Sequence, residues 1–466
     1  MLFSSIPFLY YFLPAVMLLY FLVPKILRNG VLFLSSLFFY AWGEPRYVWF
    51  MLFSITQGYL FGLLIEKFRG QKLSKVLLTA TVAVSLGLLG YCKYANFFLE
   101  NFHALTGVAV PVVKLALPIG ISFYTFQIVS YTIDVYRGDV KAQKNYIHLA
   151  AYISMFPQLI AGPIVRYSDI ERELAERTTS WDKASEGIRR FMIGLSKKIL
   201  IANLLGELVA LFKASDEKSL LFYWLYAIAF SLHIYFDFSG YSDMAIGLGR
   251  IFGFHFPENF NYPFISGSIT EFWRRWHMSL GSWFRDYLYI PLGGNRVSRF
   301  RWMVNLFIVW MATGFWHGAE WNFVIWGIYF AILLMLEKLF LSSFLNRHKV
   351  FSHFYVLFLI VINFVIFDAA GMEDVIKHLS GMFGLTGAPI FSAASIYYLR
   401  SFGCLLLFAV LGSTPLPKYL VCKVRGTKRG EKFLSAMEPV FLMVLFIACT
   451  AFLIDGSFNP FLYFRF

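Results

Sequence analysis

Charge is scarce in this chain of 466 residues, and it is lopsided: 15% of positions are charged, with 27 Asp and Glu against 41 Lys and Arg. The four cysteines, Cys92, Cys404, Cys422 and Cys449, are scattered without a CxxC pair, so neither a disulfide framework nor a zinc site is implied. Also missing are a Walker loop, a Rossmann glycine fingerprint, HExxH and a GxSxG elbow. Nucleotide hydrolysis, hydride transfer, zinc proteolysis and the usual serine hydrolysis therefore have no sequence support. No solenoid repeat and no long polar linker break the chain, which reads as one membrane-embedded domain over 1–466.

What fills the chain instead is apolar: 59% of residues are hydrophobic and 20% aromatic. Apolar runs of about 20 residues recur, each long enough to cross a hydrocarbon core of about 30 Å as a helix. They are continuous and not alternating, which argues against a barrel. Runs are placed at 7–28, 31–42, 46–66, 74–93, 112–136, 145–162, 196–213, 219–251, 301–317, 322–345, 351–368, 393–413 and 433–455, giving an all-α polytopic membrane protein. Met1 to Leu22 has no basic start and no small-residue cleavage site, and reads as a first spanning helix.

The net charge of +14 comes from Lys and Arg clusters between apolar runs, the positive-inside pattern and not a nucleic-acid footprint. Clusters at Arg69/Lys72/Lys75, Arg137/Lys141/Lys144, Arg189/Arg190/Lys197/Lys198, Arg296/Arg299/Arg301, Arg347/Lys349 and Lys423 to Lys432 are expected to be cytoplasmic. They fall on one side if 145–162, broken by Pro157, Gly162 and Pro163, re-enters without crossing. The N-terminus, 369–392 and the C-terminus are then outside. The polar stretch Tyr167 to Gly187 reads as a cytoplasmic amphipathic segment.

Two histidines stand in aromatic, membrane-like sequence. His317 lies in Gly314-Phe315-Trp316-His317-Gly318-Ala319-Glu320-Trp321, and His277 follows Trp273-Arg274-Arg275-Trp276 and precedes Ser279. Polar groups at membrane depth face a protein interior or a cavity and are functional candidates. A neutral imidazole at His317 is a competent general base for an alcohol; the alternative is a structural histidine. His277 could orient His317, hold an acceptor hydroxyl or polarise an acyl carbonyl, or its segment could be an interfacial helix with Arg and Trp at headgroup level. His233, Asp237 and Asp243 share the run 219–251; they read as a structural polar network, with Arg274 and Arg275 as the expected cations. The proline-kinked span around Gln127 reads as a cavity lining.

The stretches Leu117 to Gly138, Phe156 to Tyr167, Tyr235 to Arg250, Asn259 to Pro263, Glu271 to Gly294, Gly314 to Gly327 and Asn459 to Phe466 closely resemble the membrane-bound O-acyltransferase family, in its alginate O-acetylation branch. The resemblance implies that His317 matches the essential histidine and His277 the second one. It implies a ring of about 11 spanning helices, with re-entrant and amphipathic helices, around a tunnel and funnel in a thinned centre. The core of the catalytic segment is placed at 116–330. No bound cofactor or metal is expected. The donor is acetyl-CoA or another acyl-CoA, or an acyl carrier protein thioester, on the cytoplasmic side; the acceptor is an extracellular polysaccharide, often through an extracytoplasmic partner protein, and the location is the inner (cytoplasmic) membrane. Trp273, Trp276, Ser279, Trp316, Trp321, Asn322 and Gln127 are assigned to the substrate path, the tryptophans as walls against water. His233, where this branch has Gln, and Ile366-Phe367-Asp368, which lacks a Phe-Arg pair, depart from the pattern. Two alternatives stay open: D-alanyl transfer from a carrier protein toward teichoic acid, and a non-enzymatic transporter, for which inverted repeats would be expected.

Overall fold

The computed structural model describes residues 1–108, 110–111, 117–160 and 162–455. All regular elements among them are helical. Seven helices are long and apolar enough to cross a membrane: Pro45–Lys67, Lys72–Thr106, Leu220–Phe252, Trp321–Arg347, Lys349–Asp368, Ala393–Gly412 and Lys428–Ile454. The expected runs recur with shifted ends; 112–136 is helical from Ile121 to Arg137, while 112–116 and the ending 459–466 lie outside the described residues.

The described residues divide into two compact units. The first comprises Met1–Phe191 and Ser242–Pro257. In it the helix expected to break does so at Met155, separating Tyr146–Ser154 from Phe156–Leu159. Pro157 falls in the first turn of the second piece, where a missing N–H is harmless, and the Phe156 N–H is taken up by Ser36 Oγ at 2.9 Å. Phe156 is buried against Phe12 at 5.3 Å and Phe39 at 5.6 Å between ring centroids. Gln127 is buried on Ile121–Arg137 in this unit, with Oε1 lacking a partner. The amphipathic stretch folds as helix Tyr167–Ala175 and the start of Trp181–Ser196.

The second unit, Met192–Tyr241 and Glu258–Phe466, carries both histidines. Its core joins Leu220–Phe252, Trp321–Leu336 and Lys349–Asp368 through Phe230, Trp326, Phe330, Ile360, Phe364 and Phe367. Helices Arg299–His317 and Trp321–Leu336 pack with their backbones close, because glycine is present on both: a Cβ at Gly314 would strike the Phe323 carbonyl, and one at Gly327 the Trp310 carbonyl. Small residues permit such contacts where lipid supplies no hydrophobic drive for helix association. Ala393–Gly412 and Lys428–Ile454 have only 11% and 6% of their apolar windows buried, so their surfaces are those of lipid-facing helices.

Candidate active site

His277 is not on a spanning helix. It separates two short ones, Ile269–Trp273 and Met278–Phe284, and takes a left-handed backbone conformation at φ 44°, which L-residues with a Cβ adopt only at a cost of about 1–2 kcal/mol. Asn259 holds it there. The Met278 N–H donates to the Asn259 carbonyl at 3.0 Å, and Asn259 Oδ1 accepts from Ser279 N at 3.3 Å, Ser279 Oγ at 2.9 Å and His277 Nδ1 at 3.1 Å. The Ser279 N–H can only donate, which identifies the Asn259 atom as the oxygen; His277 Nδ1 must then carry its hydrogen, leaving the lone pair of the neutral ring on Nε2. Burial pushes the His277 imidazole well below its ordinary pKa, so the ring is neutral across physiological pH. Phe238 meets it edge-on at 4.7 Å.

Asn259 is a residue whose role sequence reasoning missed. Its only signal was membership of the Asn-Phe-Asn-Tyr-Pro stretch. Asn259→Ala removes the acceptor shared by three donors, and acyl transfer is expected to fall by about a hundredfold because a small misplacement of His277 is enough to spoil alignment. Initial rates beside an Asn259→Asp control, which keeps the acceptor oxygen, check this.

His317 closes helix Arg299–His317, as expected, and is half-buried. Its ring is surrounded by Trp316 at 4.9 Å, Trp326 at 4.9 Å and Phe367 at 5.2 Å. Trp316 also meets His277, at 5.8 Å, so one indole touches both imidazoles. Behind them Trp273 packs on Trp310, Trp326 and Phe330 at 4.7, 5.6 and 4.8 Å. Trp276 is buried against Phe260 and Phe364, each at 5.1 Å.

Three expectations are corrected. Trp321 is 53% exposed at the start of its helix and is no wall of this cluster; Trp326, Trp310, Phe330 and Phe367 take that place. Asn322 is not among them: it is fully buried, its Nδ2 donates to the Ala369 carbonyl at 2.9 Å, and its Oδ1 has no partner. Asp237 and Asp243 do not draw on Arg274 or Arg275. Asp237 pairs with Lys198 at 2.6 Å and Asp243 with Arg190 at 2.7 Å, both cations coming from the helical stretch beginning at Trp181. The reason is local: Arg275 sits one turn from Glu271 and binds it at 2.9 Å, while Arg274 is exposed. Lys198 is consequently buried and is no part of a surface basic cluster; the π-type turn Lys197–Asn203 carries it inward. His233 donates Nδ1–H to the Ala202 carbonyl at 2.6 Å, a structural role. Asp368, where the Phe-Arg pair is lacking, binds Lys213 and the Tyr226 hydroxyl, each at 2.6 Å. Among the described residues no group of three or more His, Cys, Asp or Glu could hold a metal ion.

Two imidazoles meet one indole among described residues whose regular elements are all helical and include seven helices of spanning length, and the chain belongs to the membrane-bound O-acyltransferase family, which it matches over residues 112–372. It is 39% identical to the probable alginate O-acetylase AlgI of Pseudomonas putida over 100% of both chains. It is 33% identical to the peptidoglycan O-acetyltransferase of Helicobacter pylori over 84% of this chain and 81% of that one. It is also 33% identical to the teichoic acid D-alanyltransferase of Bacillus subtilis, over 48% of this chain and 59% of the relative. The protein is a multi-pass membrane O-acyltransferase.

Proposed function

We propose that this acyltransferase moves an acetyl group from a cytoplasmic thioester, acetyl-CoA, to a hydroxyl of an extracytoplasmic polysaccharide, directly or through a partner protein, in the cytoplasmic membrane. The single observation that carries the reading is the placing of both imidazoles on the Trp316 ring. His317 removes the proton of the acceptor hydroxyl as its oxygen attacks the thioester carbonyl; the carbon–sulfur bond breaks, and the proton leaves with the thiolate as the free thiol. A thioester is reactive enough for alignment and proton removal to supply much of the rate. His277, neutral and held by Asn259 beside the Trp316 ring, orients the acceptor while His317 takes the single proton of its hydroxyl. The indoles keep out water, which would otherwise take the acyl group.

Helix Arg299–His317 begins in a basic cluster, and a rise of about 1.5 Å per residue carries His317 about 27 Å from it, into the outer half of the membrane. The donor must therefore pass inward along a tunnel within a ring of helices, while cytoplasmic Lys and Arg meet its phosphates. The resemblance to the Bacillus subtilis relative keeps D-alanyl transfer as the second reading. Incubating membranes with acetyl-labelled CoA or a labelled D-alanyl carrier protein decides: label is expected in polysaccharide from the CoA ester. Label from the carrier alone would replace the first reading by the second.

A further inference from the structure

Within the apolar core of the second unit one side chain stands out. Asn363 is 0% exposed, and neither its Oδ1 nor its Nδ2 has a hydrogen-bond partner. A buried amide with both ends unmatched destabilises the fold, so its presence calls for a visiting partner. The indole N–H groups of Trp273 and Trp326, rings in contact at 5.6 Å, are likewise buried without partners.

The level of Asn363 follows from the helices on which these residues lie. Phe323 and Trp326 meet Phe367 at 5.2 and 5.8 Å, while further along the same helix the Tyr329 hydroxyl donates to the Leu359 carbonyl at 3.1 Å. Trp321–Leu336 and Lys349–Asp368 thus run antiparallel, and Asn363, between 359 and 367, is level with positions 326 to 329. It shares a helix face with Phe367, which lies against His317, and is one turn, about 5.4 Å, nearer the Lys349 end. Under the topology proposed above, that end is cytoplasmic.

We propose that Asn363 binds the terminal amide of the donor's pantetheine arm, accepting its N–H at Oδ1, and so sets the thioester at the height of His317. This rests on the thioester-donor reading. Two methylenes separate that amide from sulfur, a reach comparable with the single helical turn between Asn363 and Phe367. The amide is common to coenzyme A and to acyl carrier proteins, so the contact serves either. It also explains why the position is polar while its neighbours Phe364 and Ile360 are packed apolar core.

The test compares wild type with Asn363→Leu, as full chains in membranes that contain the native acceptor. Three donors are used: acetyl-CoA, S-acetyl-N-acetylcysteamine, which keeps the amide, and S-acetylpropanethiol, which lacks it. Wild type is expected to favour the amide-bearing small thioester about tenfold in kcat/KM, the worth of one hydrogen bond. In the leucine variant that preference falls to about unity and KM for acetyl-CoA rises about tenfold. Its thermal midpoint stays level or rises, because an apolar group of similar shape replaces an unmatched amide. A variant that keeps both the preference and the KM would overturn the assignment and leave Asn363 as a water site. Failure of wild type to use any of the three thioesters would instead remove the thioester-donor reading, and the assignment with it.

Discussion

Replacing His317 by alanine is expected to lower acyl transfer by about 10²–10⁴-fold, the range over which a positioned general base contributes. The protein should still insert and fold, since the ring is half-buried at a helix end and the Trp326–Phe367 contact beside it survives without it. Transfer of labelled acetyl from acetyl-CoA in membranes, normalised to the amount of protein, measures the effect. Wild-type rates in the alanine variant would remove His317 from the mechanism. His317→Gln should be equally inactive, because an amide preserves polarity and bulk but supplies no basic nitrogen.

The second large effect concerns stability. Lys198 and Asp237 form an ion pair at 2.6 Å with side chains 1% and 2% exposed. Lys198→Met would leave the Asp237 carboxylate buried without its cation, and breaking such a pair from one side costs about 3–5 kcal/mol. Thermal unfolding in detergent should show a marked loss for Lys198→Met and for Asp237→Leu singly. The double variant should recover most of it, since replacing both partners by apolar groups removes the uncompensated charge. A double variant no better than either single one would mean that the pair does more than satisfy charge.

Several features of the site were legible in the residues alone. His317 at the end of an apolar run, flanked by glycine and tryptophan, could be read as a membrane-depth imidazole because polar groups there are too costly to be incidental. The break before Pro157 and the non-crossing character of the His277 segment followed from backbone and charge rules in the same way. Pairing was not legible. Sequence proximity pointed Asp237 and Asp243 to Arg274 and Arg275, yet their cations come from Lys198 and Arg190, whose approach depends on how helices pack and on one π-type turn. Trp321 and Trp326 differ by five positions on one helix; only packing reveals that the first faces outward and the second touches His317.

By itself, then, the chain dictated a many-helix membrane protein and marked His277 and His317 as candidates, because hydrophobic length and the cost of burying polar groups act on each segment locally. Tertiary structure alone decided that Asn259 sets the tautomer of His277, that Trp316 bridges the two imidazoles, and that Asn363 lies unmatched one turn from Phe367. Those relations join residues distant in sequence through close packing and hydrogen-bond geometry, which no local pattern of residues encodes.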